Sequence, residues 1–588
     1  MTIERTTTDI LILGSGGAGL FAALHAHRAD TGLAITIATK GLLGKCGCTR
    51  MVQGGYNVAL HAGDSVERHF MDTIEGGKWL PHQELAWTLV TRAVDRVREL
   101  ENEIGCFFDR NPDGTLHGKA FAGQSFDRTV HKGDLTGIEI INRLMEQVWV
   151  RPGIARLEEH RALALIPARG GASLAGVLFA DIRTGELRFV AAGAVLLATG
   201  GGPTMYRYHT PSGDKSMDGI AMALRLGLPL RDMEMVQFHP TGLLAGPGTR
   251  MTGTVLEEGL RGSGGHLLNG AMRRFMADYD ANLERATRDV VSRAIYSEMK
   301  AGRTSPHGGV YIKMSHLGPP RVAREFKGMV DRCRDCGFDL AGGLVEVVPT
   351  AHYMMGGLVC NPDTSTELQG LFVAGEDASG MHGANRLGGN GVANSTVFGG
   401  IAGDVMPVWL ARQGLPPTPD EDALQAEAAR ALHPFSRRPG DLNRLRERLF
   451  DIMWEDVGVI RDAAGLDGAT AALGDIEAEL LATGVAAGER RFNLTWHDWL
   501  NLRSLVEVSR VIAAAARWRQ NSRGAHFRSD FPAPGDFSSS RFSIARQTAG
   551  KLAITDAPVV FSHVRPAQAS VKEAARRTRG SADGDPFA

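Results

Sequence analysis

The chain is poor in cysteine, six in 588 residues. That scarcity excludes a disulfide framework and fits a reducing, cytoplasmic setting. Cys333 and Cys336 form a lone C-x-x-C pair with no second ligand pair nearby, so no metal site is expected, and no ferredoxin-like cysteine run provides for an iron–sulfur cluster in this chain. Aromatic residues are also scarce, 6%, and the formal net charge is −1. With neither a stacking platform nor an excess of cations, nucleic-acid binding is not expected. No stretch of about 18 apolar residues occurs, so no direct membrane span is expected. The opening "MTIERTTTDILILG" lacks the basic, apolar and small-residue order of a secretion signal.

What the chain does have is glycine, 73 residues of 588, against a usual share of about 7%. Such a share points to tight turns and to backbone that must approach a ligand closely. The first case comes at once. "TDILIL" (8–13) reads as a buried parallel strand, Gly14-Ser15-Gly16-Gly17-Ala18-Gly19 follows, "LFAALHAHRA" reads as a helix, and "LAITIATK" as a second strand. G-x-G-x-x-G in a strand–helix–strand setting lets the backbone turn, approach a pyrophosphate and aim a helix N-terminus at it. The acidic residue expected about twenty positions on, for a ribose, is absent. Thr39 and Lys40 stand there, which weighs against an NAD-type site and leaves FAD open.

Periodicity predicts helices over 84–101 and 137–150 and a short buried strand in "GAVLLATGG" (193–201). The texture turns loop-rich from 236 to 350, and "GLFVAGE" (370–376) returns to the strand-then-glycine style. The expected architecture is α/β: a Rossmann-like dinucleotide-binding domain (1–235, with a return segment at 351–410), an inserted α+β capping domain (236–350) and a C-terminal helical domain (420–535). Residues 536–588 are expected to be a partly disordered extension, ending in the frayed tail "ARRTRGSADGDPFA".

Several longer strings follow in order: "VQGGYNVAL", "FAGQSFDRTVHKGDLTG", "VQFHPTG", "EEGLRGSGG", "TRDVVSRAI", "PTAHYMMGGL", "GLFVAGEDASGMHGANRLGGN" and "NSRGAHFRSDFP". Together they resemble the flavoprotein subunit of succinate dehydrogenase and fumarate reductase, a superfamily that also holds L-aspartate oxidase. The resemblance runs from about residue 8 to 535. It implies an FAD-dependent oxidoreductase that interconverts a dicarboxylate and its unsaturated form by hydride transfer to or from flavin N5. It also implies an iron–sulfur partner subunit, through which the protein would sit peripheral to a membrane. An aspartate oxidase-type enzyme making iminoaspartate is the alternative.

The resemblance assigns roles residue by residue. His239, His352 and Arg386 match groups that hold the substrate carboxylates, and a guanidinium suits that bidentate task. Arg288 matches the proton donor, with Glu258 and Arg261 as its relay. An arginine is a poor acid by its ordinary pKa, above about 12, so the relay matters. Phe121 matches a residue packed against the substrate's double bond. Asp218, Glu376, Gly391 and Val392 match flavin-binding positions, as do the glycine loop, Thr39, Lys40, Thr49, Gly54 and Gly55.

Two departures stand out near the relay. Glu257 occupies a position where the family often has a threonine that touches substrate, and a short insertion separates "HPTG" from "EEGLRG". A third concerns the cofactor. The family's membrane complexes tether FAD through a histidine five residues before the glutamine of "QGG". Counting back from Gln53 lands on Cys48. The reading is therefore non-covalent FAD, with a thioether to Cys48 as the minor alternative.

Overall fold

The computed structural model describes residues 2–246, 249–413 and 416–566. Its largest sheet has seven strands. Glu4–Leu13 lies between Ile35–Ala38 and Leu187–Leu197, all parallel, with Ile154–Leu157 beyond Ile35–Ala38. Leu371–Val373 adds a parallel strand beside the C-terminal half of Leu187–Leu197, while Leu174–Asp181 pairs antiparallel with its N-terminal half. The predicted strand at 8–13 begins earlier, at Glu4, but burial starts only at Thr8, and Ile10 to Leu13 are fully enclosed. The apolar run therefore marked the part that enters the core rather than the whole strand.

Helix Gly17–Ala29 packs against helix Asn390–Gln413 at unusually short range. A Cβ on Gly399 or Gly403 would lie 2.5 Å from Ala18 O or 2.4 Å from Ala22 O. Two glycines four apart, facing two alanines four apart, bring the backbones together and set both helix N-termini at the same cavity. The predicted helices appear as Gln83–Asn102 and Thr136–Trp149.

Val236–Leu243, Leu344–Met354, Val310–Lys313 and His266–Leu268 form a separate antiparallel sheet. With helix Arg288–Lys300 it encloses its own apolar core, including Leu243, Val291, Ile295, Val310, Ile312 and Val347. Four helices follow in the C-terminal part of the chain: Glu421–Leu432, Leu442–Glu455, Ala463–Ala482 and Leu494–Trp518. Each starts at a side-chain cap, Asp420, Asp441, Asp462 and Asn493, which accepts a hydrogen bond from the third residue on. Such a cap stabilises a helix by about 1 kcal/mol.

Residues 536–566 are not a loose extension. Arg541–Thr548 and Lys551–Pro558 form a hairpin that pairs with Leu230–Arg231. The expectation missed it because its anchor is a buried ionic network between distant segments. Arg519 bonds Glu234 and Asp232 at 2.5 and 3.0 Å, and Ser543 bonds the same two carboxylates at 2.7 and 2.9 Å. The tail expected at 574–588 lies outside the described residues. No helix among the described residues is long and apolar enough to cross a membrane.

Candidate active site

One cavity of about 470 Å³ runs between the large sheet and the separate antiparallel sheet. At one end the glycine loop lines it. Gly14 sits at φ +113°, and a Cβ there would lie 2.1 Å from Ala198 O, so only glycine fits. Helix Gly17–Ala29 starts with no side-chain cap and no acidic residue in its first turn. Its early N–H groups and positive dipole end suit a phosphate. Helix Asn390–Gln413 adds Gly391 and Val392 to the same wall. These features fit a dinucleotide. The charges nearby are already satisfied. Asp218 takes Lys40 and Arg161, each at 2.7 Å, and Lys215 donates to Thr199 O at 2.7 Å. Glu376 accepts from the N–H of Met354 and of Gly202 at 2.9 and 3.3 Å.

The other end is built by side chains, and two β-bulges aim them. Gln237 pairs with Tyr353 and Phe238 with Ala351, which leaves His352 as an extra residue. The register shifts again between His239 and Gly242. Bulges re-aim side chains in this way beside functional sites. The two imidazoles lie 5.5 Å apart between centroids. The Thr241 N–H donates to His239 Nδ1 at 3.3 Å, which leaves the ring proton on Nε2 as a donor. His352 Nδ1 lies 2.8 Å from Thr210 Oγ1. Burial, then the charge of Arg288, holds both histidines well below the ordinary 6.5.

Arg386 is buried, its guanidinium 4.4 Å over the Tyr353 ring, and its Nε has no partner. Burial, then Arg288, lowers its pKa to about 10. Arg288 donates from Nε and Nη2 to Glu258 Oε2 at 2.9 and 2.6 Å and from Nη1 to Gln237 Oε1 at 3.1 Å. On the far side of Glu258, Arg261 Nη2 reaches Oε1 at 3.4 Å. Burial raises the Glu258 carboxyl, but Arg288 and Arg261 outweigh it and hold it below the ordinary value. Phe121 closes the wall near Gly54, where a Cβ would lie 2.5 Å from its ring.

Nearly every residue singled out in the sequence lines this cavity. The exceptions among those given a site role are Gly19 and Arg261. Gly19 packs helix on strand, since a Cβ there would lie 2.0 Å from Gly14 O. Arg261 stands behind Glu258, as a relay member would. Glu257 lines the cavity near Lys119, 3.6 Å away. Cys48 lines the cofactor end, its thiol pushed up to about 12 by burial, then Glu376. Cys333 and Cys336 are free thiols on helix Lys327–Asp335 and its end, and no metal-binding cluster occurs among the described residues.

Sequence reasoning missed Tyr353, Lys215, Arg332 and Gln237. Tyr353 follows His352 on a strand, where neighbours ordinarily face opposite ways, and only the bulge lets both reach the cavity. Lys215 and Arg332 sit in segments with no motif.

The fold and the site together define a flavin-dependent oxidoreductase. An "FAD binding domain" family model matches residues 9–392. A "Fumarate reductase flavoprotein C-term" model matches residues 446–576. A Methanocaldococcus jannaschii protein described as an uncharacterized FAD-dependent oxidoreductase is 39% identical over 530 residues, covering 89% of this chain and 94% of its own. One of the subunits of the fumarate reductase (CoM/CoB) of Methanothermobacter marburgensis is 37% identical over 540 residues, covering 90% of this chain and 96% of its own. A solved structure of Escherichia coli quinol fumarate reductase superposes with a TM-score of 0.90 at 31% identity, covering 96% of this chain and 99% of that one. The chain belongs to the succinate dehydrogenase/fumarate reductase flavoprotein family, and FAD is its cofactor.

Proposed function

We propose that the protein interconverts a C4-type dicarboxylate and its unsaturated form, the succinate/fumarate pair, as the flavoprotein subunit of a complex with an iron–sulfur protein. The observation that carries this is the convergence of His239, His352, Arg386 and Arg288 at one end of a cavity whose other end is the glycine loop. FAD, when bound, supplies the two-electron hydride chemistry. The residues of this chain do the rest. His352 and Arg386 hold one carboxylate, and His239 donates from Nε2 toward the other. Held at both ends, the substrate is oriented for reaction, and such positioning can remove about 7–11 kcal/mol of a barrier. Arg288 moves the second proton, and Glu258 resupplies it from Arg261 along contacts of 2.6 and 3.4 Å.

Non-covalent FAD is part of the proposal. A thioether requires a thiolate, and the half-buried Cys48 thiol, pushed up to about 12, is not one at neutral pH. A flavin without a tether favours the reducing direction within this reading. The relatives named above carry fumarate reductase or general oxidoreductase names, and the aspartate oxidase alternative gains no support from them. The test is anaerobic. Dithionite-reduced protein is expected to regain its yellow absorbance when fumarate is added. Failure with fumarate, together with bleaching of the oxidised protein by L-aspartate, would overturn the reading.

A further inference from the structure

The reading above leaves the carboxyl of Glu257 without work. Only 4% of it is exposed, it lines the cavity with Glu258, Arg288 and His239, and its Oε2 is buried with no hydrogen-bond partner. Its Oε1 lies 3.6 Å from Lys119 Nζ, beyond hydrogen-bond reach. Lys119 instead donates to Gly133 O at 2.8 Å. The other charges that face Glu257 are Arg332, on helix Lys327–Asp335, and Asp134. Arg332 donates to Val255 O at 2.9 Å. Burial, the largest influence, pushes the carboxyl up and Asp134 adds to it, against Lys119 and Arg332.

A second ionised carboxylate beside a bound dianion would repel it in a buried, low-dielectric site. A neutral carboxylic acid in the same place has an O–H to donate, and its orphan oxygen finds a partner. We propose that Glu257 enters the binding step as a neutral carboxylic acid whose O–H donates to a substrate carboxylate, so that dicarboxylate binding takes up one proton from water wherever Glu257 is ionised in the free protein. No electrons move in this step. The carboxylate gains H⁺ from solvent and becomes a donor. Glu257 is then a specificity residue as well, because its donor favours an anionic end group over an amide or an ammonium. The inference rests on the dicarboxylate reading.

The test is equilibrium binding of fumarate to the FAD-loaded, oxidised protein with no electron donor, read from the flavin difference spectrum between about pH 5 and 8. The Kd is expected to be flat below the free Glu257 pKa and to rise by up to about tenfold per pH unit above it. Proton uptake in weakly buffered solution should approach one per fumarate over the same range. Glu257→Gln keeps a donor but cannot titrate, so its Kd profile should flatten and its proton uptake vanish. Glu257→Ala should be flat too and bind roughly tenfold more weakly than Glu257→Gln.

A pH-independent Kd in the unmodified protein, together with equal Kd values for Glu257→Gln and Glu257→Ala, would overturn the inference. So would a slope that survives in Glu257→Gln, since His239 or His352 would then be taking the proton. If neither fumarate nor succinate binds at any pH, the dicarboxylate reading fails and this inference falls with it. The two failures are thus distinguishable.

Discussion

The two ends of the cavity are built from different materials. At the cofactor end the wall is backbone, two helix N-termini and glycines that exclude any side chain, and its charged groups already have hydrogen-bond partners: Asp218 with Lys40 and Arg161, Lys215 with Thr199 O, Glu376 with two backbone N–H groups. At the substrate end the wall is side chains with unspent hydrogen-bonding capacity. Arg386 Nε and Glu257 Oε2 are buried and unpartnered. Each such atom costs about 1–3 kcal/mol of stability. A resident cofactor suits a site that is complete by shape. A substrate that comes and goes suits donors held in reserve, at the expense of stability in the free protein.

If this division holds, damage at the substrate end should stop turnover and leave the flavin in place. Arg288→Gln gives the largest effect. With the proposed proton donor gone, kcat for dye-linked fumarate reduction should fall by about 10³-fold, within the range of general acid catalysis, while the flavin-to-protein absorbance ratio stays that of the unmodified protein. Loss of flavin in proportion to activity would break the comparison. The converse belongs to the cofactor end. Asp218→Asn leaves Lys40 and Arg161 with no counter-charge, and breaking such a buried pair costs about 3–5 kcal/mol. Its signature is a lower melting temperature and weaker flavin retention.

The same carboxylate fixes the sign of one pH effect. Burial opposes the ionised form of Asp218, but Arg161 and Lys40 outweigh it and hold its pKa below the ordinary 3.8. Its stabilising contribution is therefore complete above that value and is lost as pH falls below it. In the unmodified protein melting temperature should drop in that acid window. The drop should be smaller in Asp218→Asn. An equal drop in both would assign the acid sensitivity to other groups.

The division also explains what the sequence disclosed. The cofactor end lies mostly within local runs, since Gly14 to Gly19 sit between a strand and a helix whose patterns are plain, and a short motif records that geometry directly. The substrate end joins strand Val236–Leu243, strand Leu344–Met354, helix Arg288–Lys300 and the loop at Arg386. No spacing within one segment encodes that meeting, and its residues were found only through the strings that resemble a known family. Even that route omitted Tyr353, because the bulge that turns it inward is a property of strand pairing. The C-terminal hairpin was missed for a similar reason, since Asp232, Glu234, Arg519 and Ser543 hold it from three separate parts of the chain.

Tyr353 offers a finer test of the substrate end. Its ring lies under the Arg386 guanidinium, and its hydroxyl accepts from Asn394 Nδ2 at 3.1 Å. A buried cation–π contact contributes about 1–2 kcal/mol. Tyr353→Leu should therefore raise KM for fumarate by about tenfold with a smaller change in kcat, because Arg386 would be less firmly placed. Tyr353→Phe keeps the ring and should recover most of the loss. If Phe and Leu behave alike, the hydroxyl rather than the ring positions Arg386.

The smallest effect is expected at Cys48, and it decides how far the cofactor end depends on shape alone. Its half-buried thiol, pushed up to about 12, is a poor nucleophile at neutral pH. Acid precipitation of the unmodified protein should release all the flavin to the supernatant, and Cys48→Ser should behave the same way with little change in fumarate turnover. Flavin that stays with the pellet, and is freed in Cys48→Ser, would mean that a covalent bond supplements the glycine loop and the two helix N-termini. The contrast between the two ends would then be one of covalent against reversible attachment, and the preference for the reducing direction would lose its basis.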